Sequence, residues 1–161
     1  MRADDDELCK AGVFVDQNNQ CAERGDCALI GVIDSSIDIL HEAFFDESGN
    51  SRIIGIWHQA AKDGPTPHAI HGVFSQTYSR LYTGADIAEL LSGAGAVEGI
   101  PRDTYESGHG THVASIPAGK AVGTIGRGVA PQARVLVVAP HLQIAHILRK
   151  ASAIRSAMSM P

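Results

Sequence analysis

Three short runs dense in Val and Ile set the frame for this chain. Ala28-Leu29-Ile30-Gly31-Val32-Ile33, Arg52-Ile53-Ile54-Gly55-Ile56-Trp57 and Arg134-Val135-Leu136-Val137-Val138 are nearly continuous in apolar residues and do not alternate. Strands buried on both faces read this way, because helices packed on either side leave no face for polar groups. Helical signals lie between and after them. Thr83-Gly84-Ala85-Asp86 has the shape of a capping box with Asp in the acidic place, opening a short helix through Ile87, Ala88, Leu90 and Leu91 that Gly93, Gly95 and Gly99 end. A further helix is predicted from about His109. From Gln143 onward, Ile144, Ile147, Leu148, Ala151 and Ile154 recur at helical spacing with Arg149, Lys150 and Arg155 interleaved. That pattern predicts an amphipathic helix packed on the sheet, with a basic membrane-surface or partner-binding helix as the alternative. Strands alternating with helices predict an α/β fold with a parallel, doubly wound sheet.

The connections are less regular. Glu47-Ser48-Gly49-Asn50 is a turn signal ahead of the second run. Residues 58 to 84, with Pro65, Pro67 and scattered polar groups, read as an exposed loop. Residues 1 to 26 are polar without a clear period and read as an N-terminal extension or edge element.

Composition narrows the partners. A chain of 161 residues is about one domain long and can bury roughly two thirds of its unfolded surface. Its 13 Lys and Arg against 18 Asp and Glu give a net charge of −5, which argues against nucleic acid as a partner, since counterion release needs a basic surface. No apolar run approaches a membrane span, so no membrane partner is expected either. Met1-Arg2-Ala3-Asp4-Asp5-Asp6-Glu7 is acidic where a secretory signal is basic and then apolar, which predicts a cytoplasmic protein unless the start lies upstream. Cys9, Cys21 and Cys27 are odd in number and lack paired C-x-x-C spacing, as unpaired thiols in a reducing compartment would.

The chemistry-bearing residues sit at two places. The first apolar run ends on Asp34, and a carboxylate at the carboxyl end of a strand is where open α/β sheets place their sites. Gly108-His109-Gly110-Thr111-His112-Val113-Ala114 sets an imidazole between two glycines just ahead of a small-residue helix. A carboxylate that accepts from an imidazole N–H fixes its tautomer and stabilises the imidazolium formed in proton transfer. His109 and His112, with His68 and His71 as further candidates, form a competing set for a metal.

Ile30-Gly31-Val32-Ile33-Asp34-Ser35-Ser36-Ile37-Asp38-Ile39-Leu40-His41 and Gly108-His109-Gly110-Thr111-His112-Val113-Ala114-Ser115 closely resemble the Asp and His signatures of the subtilisin-like serine proteases, the subtilases. Gly128-Val129-Ala130-Pro131-Gln132-Ala133 and the run after it resemble the strand that follows the catalytic histidine there, and the order Asp then His is that of the family. The likeness is strongest over residues 28 to 140. It implies a partial doubly wound parallel sheet of the subtilisin-like type, three-layer α/β/α and incomplete. Residues 27 to 161 would be a truncated subtilase catalytic domain behind an extension of residues 1 to 26. It further implies serine-type endopeptidase chemistry on a protein or peptide substrate, with Asp34 as orienting carboxylate, His109 as general base and His112 as a buried helix residue. Asp38 and His41 fall at positions that are structural in the family. The stretch from Trp57 to Gly108 looks longer than in compact subtilases. No organic cofactor is implied; calcium is common in the family, but its sites are not identifiable here.

Several positions depart from the family pattern. Ser36 and Ser115 stand where it has Gly, adding atoms to a crowded strand–helix contact. Pro117 falls inside the helix that starts at His109, so that helix is expected to kink or stop early and could tilt the imidazole. The family continues past the third strand to an oxyanion-hole Asn and a Gly-Thr-Ser-Met-Ala-x-Pro nucleophile helix. No Asn follows Asn50 here, and aligning Met158 and Pro161 with that motif puts Ala157 in the serine place. In subtilisin, losing the serine costs about 10⁶ in turnover. The expectation is therefore an amino-terminal part of a subtilase that is nearly inert alone, with a complementary C-terminal fragment as a partner. The alternative is a pseudo-protease that binds a peptide or fragment.

Overall fold

The structure is a computed structural model that describes residues 24–72, 77–93, 99–103 and 108–140. The elements follow in the order β1 (Leu29–Ile33), a 3-10 turn (Glu42–Phe44), β2 (Ile53–His58), α1 (Pro67–His71), β3 (Arg80–Thr83), α2 (Gly84–Ser92), α3 (His109–Ala118) and β4 (Arg134–Ala139). The amphipathic stretch from Gln143, Cys9, Cys21 and most of the N-terminal extension lie outside the described residues.

All three Val/Ile runs are strands, and they are mutual neighbours. The sheet order is β1-β4-β2-β3. β4 lies parallel between β1 and β2, with Val138 opposite both Ile33 and Trp57. The fourth strand corrects the sequence reading. β3 runs antiparallel to β2, pairing Tyr82 with Ile56, so the sheet is mixed and not wholly parallel. β3 and α1 both fall within residues 58 to 84, which the prolines and polar groups made look like an exposed loop. Pro67 instead opens α1, where its missing N–H costs nothing, behind Thr66 as N-cap.

The capping box forms as read. Thr83 Oγ1 accepts from Asp86 N–H, while the Asp86 carboxylate accepts from Thr83 N–H, and Gly93 closes α2 in the left-handed conformation. The turn at residues 47 to 50 is organised by Asp46, whose Oδ1 accepts the N–H groups of Ser48 and Asn50.

One face of the sheet carries the core. Val32, Ile53, Ile56, Val135, Val137 and Ala139 pack with Ile87 of α2, Ala114 and Ala118 of α3, and Ile37, Ile39 and Phe44 from the segment after β1. The other face is thinly covered. Leu136 and Val138 line a cavity of about 590 Å³ together with Trp57, Leu81 and the α1 residues Pro67 and His71. On β1, Leu29 and Ile33 stand 55% and 75% exposed. Among the described residues α1 is the helix that touches this face. This is an incomplete α/β fold.

Arg52 locks the end of the sheet away from the strand tips. Its guanidinium is buried and donates to Ala133 O ahead of β4, to Ala43 O in the 3-10 turn and to Ala118 O at the end of α3. A cation on the last carbonyl of a helix also meets the negative end of its dipole. Arg52→Met should therefore leave buried carbonyls without a donor and lower stability by about 3 kcal/mol. Arg134→Met, at an exposed position, should change it by less than about 0.5 kcal/mol. Denaturant titration of the two variants checks this, and equal effects would refute the clamp.

Candidate functional site

Asp34 is the residue after β1, yet its N–H still donates to Val138 O at 3.1 Å, so the last rung of the β1–β4 ladder fixes where its side chain starts. Its Oδ1 accepts from Ser35 N–H at 2.7 Å and Ser35 Oγ at 3.1 Å. His109 is the first residue of α3. Gly108 before it sits at φ 50°, in the left-handed region, and turns the incoming chain into the helix. Gly110 after it is packed so closely that a Cβ there would lie 1.8 Å from Ser36 O and 3.2 Å from Asp34 Oδ1. Only glycine lets the first turn of α3 come this near the loop behind Asp34.

The result is a direct bond across 75 residues. His109 Nδ1 lies 3.0 Å from Asp34 Oδ1 and 3.0 Å from Oδ2. An ionised carboxylate only accepts, so Nδ1 carries the proton and donates, and in the neutral ring Nε2 keeps its lone pair. The imidazole is exposed over 66% of its side chain and the carboxylate over only 15%. The bond from Asp34 and the field of its charge raise the imidazole's pKa above 6.5, with a smaller contribution from Asp103. Burial alone would push the Asp34 carboxyl up. The bond to His109 and the Ser35 N–H together outweigh it and hold the carboxyl below 3.8. This geometry can take a proton at Nε2 from a hydroxyl brought within about 2.6–3.2 Å, and then stabilise the imidazolium.

The structure corrects three sequence expectations around the pair. Pro117 is the last residue but one of α3, so the break it imposes falls at the far end, where Gly119 N–H bonds Ser115 O, and His109 is not tilted away from Asp34. His112 is half-buried, not buried. The added hydroxyl of Ser115 is absorbed within the helix, donating to His112 O at 2.8 Å. Ser36 takes φ 151°, a conformation that favours glycine, and its Oγ donates to Pro101 O at 2.5 Å. Asp38 pairs with Arg102 at 2.9 Å, and His41 Nδ1 accepts from Ala43 N–H to cap the 3-10 turn.

Among the described residues no three His, Cys, Asp or Glu side chains are grouped to hold a metal ion. Cys27 is exposed and unpaired. Among the described residues no helix is long and apolar enough to cross a membrane. One residue that sequence reasoning passed over, Asp103, binds the first turn of α3 at Thr111. The available signal was Gly108, an N-cap with no side chain to cap with.

A strand-end Asp bonded to a His at the head of a glycine-flanked helix, on an incomplete α/β sheet, defines the class. A family model for the subtilase family matches residues 25–158, and the chain belongs to that family. Among solved structures it is similar to the CspB protease of Clostridium perfringens, with a TM-score of 0.62 and 23% identity, over 97% of this chain and 31% of that one. The chain thus spans under a third of that protease. No curated protein matches it.

Two outcomes test the site. Gly110→Ala should force α3 away from Ser36, remove the His109–Asp34 bond and cost about 3 kcal/mol of stability. The readouts are loss of the bonded Nδ1 proton from the NMR spectrum and a lower denaturant midpoint. The second concerns pH. His109 is raised, so its contribution to stability is complete below about 6.5 and fades as pH rises through its folded value. Asp34 is lowered, so its contribution is complete above about 3.8 and fades as pH falls through its folded value. The pair should stabilise most between those limits, weakly because His109 is exposed and screened by salt. Asp34→Asn should remove the alkaline decline from a series of unfolding curves at different pH and bring the His109 midpoint down.

Proposed function

We propose that this chain supplies the Asp–His half of a subtilisin-like serine endopeptidase, hydrolysing peptide bonds of protein or peptide substrates. Asp34 holds the imidazole and stabilises its charged form, and His109 Nε2 accepts the proton of a serine hydroxyl as that oxygen attacks the carbonyl. The proton then passes to the leaving amine. The single observation that carries this reading is the His109 Nδ1 to Asp34 bond at 3.0 Å, with the rest of the ring exposed.

These 161 residues hold no serine in the setting of the family's nucleophile motif and no Asn after Asn50. In our reading the nucleophile and the oxyanion donor come from a complementary segment, and the Asp–His half alone is close to inert, since the serine accounts for about 10⁶ in turnover. The alternative of a binding module is favoured by one feature, the β1 edge, which is unpaired among the described residues and has Leu29 and Ile33 exposed beside it, offering a place for a peptide or a fragment. We favour the first because a pure binding module has no need of a bonded imidazole. No organic cofactor takes part in this chemistry.

A fluorophosphonate probe separates the possibilities. The chain alone should not label. Adding a nucleophile-bearing C-terminal subtilase segment should give labelling on that segment, accompanied by peptide hydrolysis, and His109→Ala should abolish both. Labelling of Ser152, Ser156 or Ser159 in the isolated chain would overturn the assignment of the nucleophile to another segment. Binding of the segment without labelling would favour the binding module.

A further inference from the structure

Helix α3 begins on a residue that cannot cap it. Gly108 holds the N-cap position with no side chain, although the first N–H groups of a helix need partners. One partner comes from outside the helix. Asp103 Oδ2 accepts from Thr111 N–H at 2.9 Å and from Thr111 Oγ1 at 3.0 Å. The same Thr111 hydroxyl oxygen accepts from Asp38 N–H at 2.8 Å. Asp103 also donates its own N–H to Ile37 O at 3.3 Å. One carboxylate thus touches the first turn of α3, directly and through one hydroxyl, and the segment that follows Asp34. The residue is 7% exposed, and its Oδ1 has no partner among the described residues.

The position of His109 makes this contact more than a cap. A helix N-terminus carries partial positive charge and opposes an imidazolium placed there. Proton uptake at His109 works against that field unless negative charge stands close. Asp34 supplies one such charge. Asp103, bound at the third residue of the same helix, supplies another from the opposite strand of contacts.

We propose that Asp103 is a positioning residue for the His109–Asp34 pair. It caps α3 from outside, pins the first turn through Thr111 to residues 37 and 38, and sets a fixed negative charge against the helix end that carries the imidazole. The role rests on the reading of His109 as a proton acceptor and deepens it. It accords with the direction of the Asp103 contribution at His109, which is upward and smaller than that of Asp34. Of the other charged groups here, Asp38 pairs with Arg102, and Asp38, His41, His112 and Lys120 line one cavity of about 550 Å³ with Asp103 and Gly108.

The test uses the full chain and NMR titration of its histidines. Asp103→Asn keeps an oxygen to accept from Thr111 and removes the charge. The His109 midpoint should move to lower pH while His68 and His71, on α1, stay put. An unchanged His109 midpoint in the folded variant overturns the proposal. If Asp103→Asn does not fold, Thr111→Val and Thr111→Ser decide it: valine should lose the bonded His109 Nδ1 proton signal, and serine should restore it. Valine that keeps the signal, or serine that fails to restore it, overturns the proposal. Failure of the complementation experiment above would sink the protease reading yet leave these titrations unaffected, so the two can fail separately.

Discussion

The close approach of a helix start to a strand-end loop governs everything else in this chain. A side chain at position 110 would need space that the Ser36 carbonyl already fills, with only 1.8 Å to spare from where its Cβ would sit. Because glycine stands there, α3 packs its first turn directly on the segment behind β1. That packing carries His109 to Asp34, brings Thr111 to Asp38, and lets Ala114 and Ala118 reach the sheet. The rest of α3 obeys the same demand for small atoms. A Cβ at Gly128 would meet Ile116 O at 2.6 Å, and one at Gly119 would meet Ser115 O at 2.7 Å. The tight turns around the helix are thus steric requirements, and the bonded pair is their consequence.

Electrostatics then complete what sterics permit. An imidazole at the first position of a helix faces the end of the dipole that disfavours its charged form, an effect of typically about 0.3–1 kcal/mol. A carboxylate bonded at 3.0 Å and mostly shielded from water reverses the balance. The shielding is uneven in a useful way. The carboxylate is held by the Ser35 N–H and by the strand ladder, while most of the imidazole side chain is exposed to solvent. A group that must exchange protons with a partner needs that openness, and a group that only orients does not.

How much of this was legible in the sequence follows from range. The three Val/Ile runs declared themselves as strands because a continuous β-branched run is a local signature, although among the described residues only one of the two faces it predicts to be buried is packed. The capping box of α2 is local by definition. Gly-His-Gly and the strand-end Asp were legible for the same reason, each being a short segment with its own chemistry. β3 escaped because it has four residues, Arg80 to Thr83, and pairs antiparallel at the margin of the sheet, where a long buried run is not required. α1 escaped because Pro67 reads as a breaker unless the first turn of a helix is already suspected. Arg52 stood inside a predicted strand, but nothing local says that three carbonyls from distant segments converge on its guanidinium. Asp103 was invisible for a similar reason. Its partner Thr111 lies eight residues away, and no local pattern links the two.

The same strand that ends at the pair also lies at the edge of the sheet. Among the described residues β1 pairs with β4 on one side only, and its Leu29 and Ile33 side chains are exposed on the thinly covered face. A parallel edge of this kind is unusual in isolation, since such sheets bury both faces and both flanks. A strand added alongside β1 in parallel would finish level with Asp34, and the loop after it would start beside the open face of His109. Sites in open α/β sheets gather at the carboxyl ends of neighbouring strands for this reason. A segment that paired with β1 would therefore stand close both to the exposed Leu29 and Ile33 and to the His109–Asp34 pair.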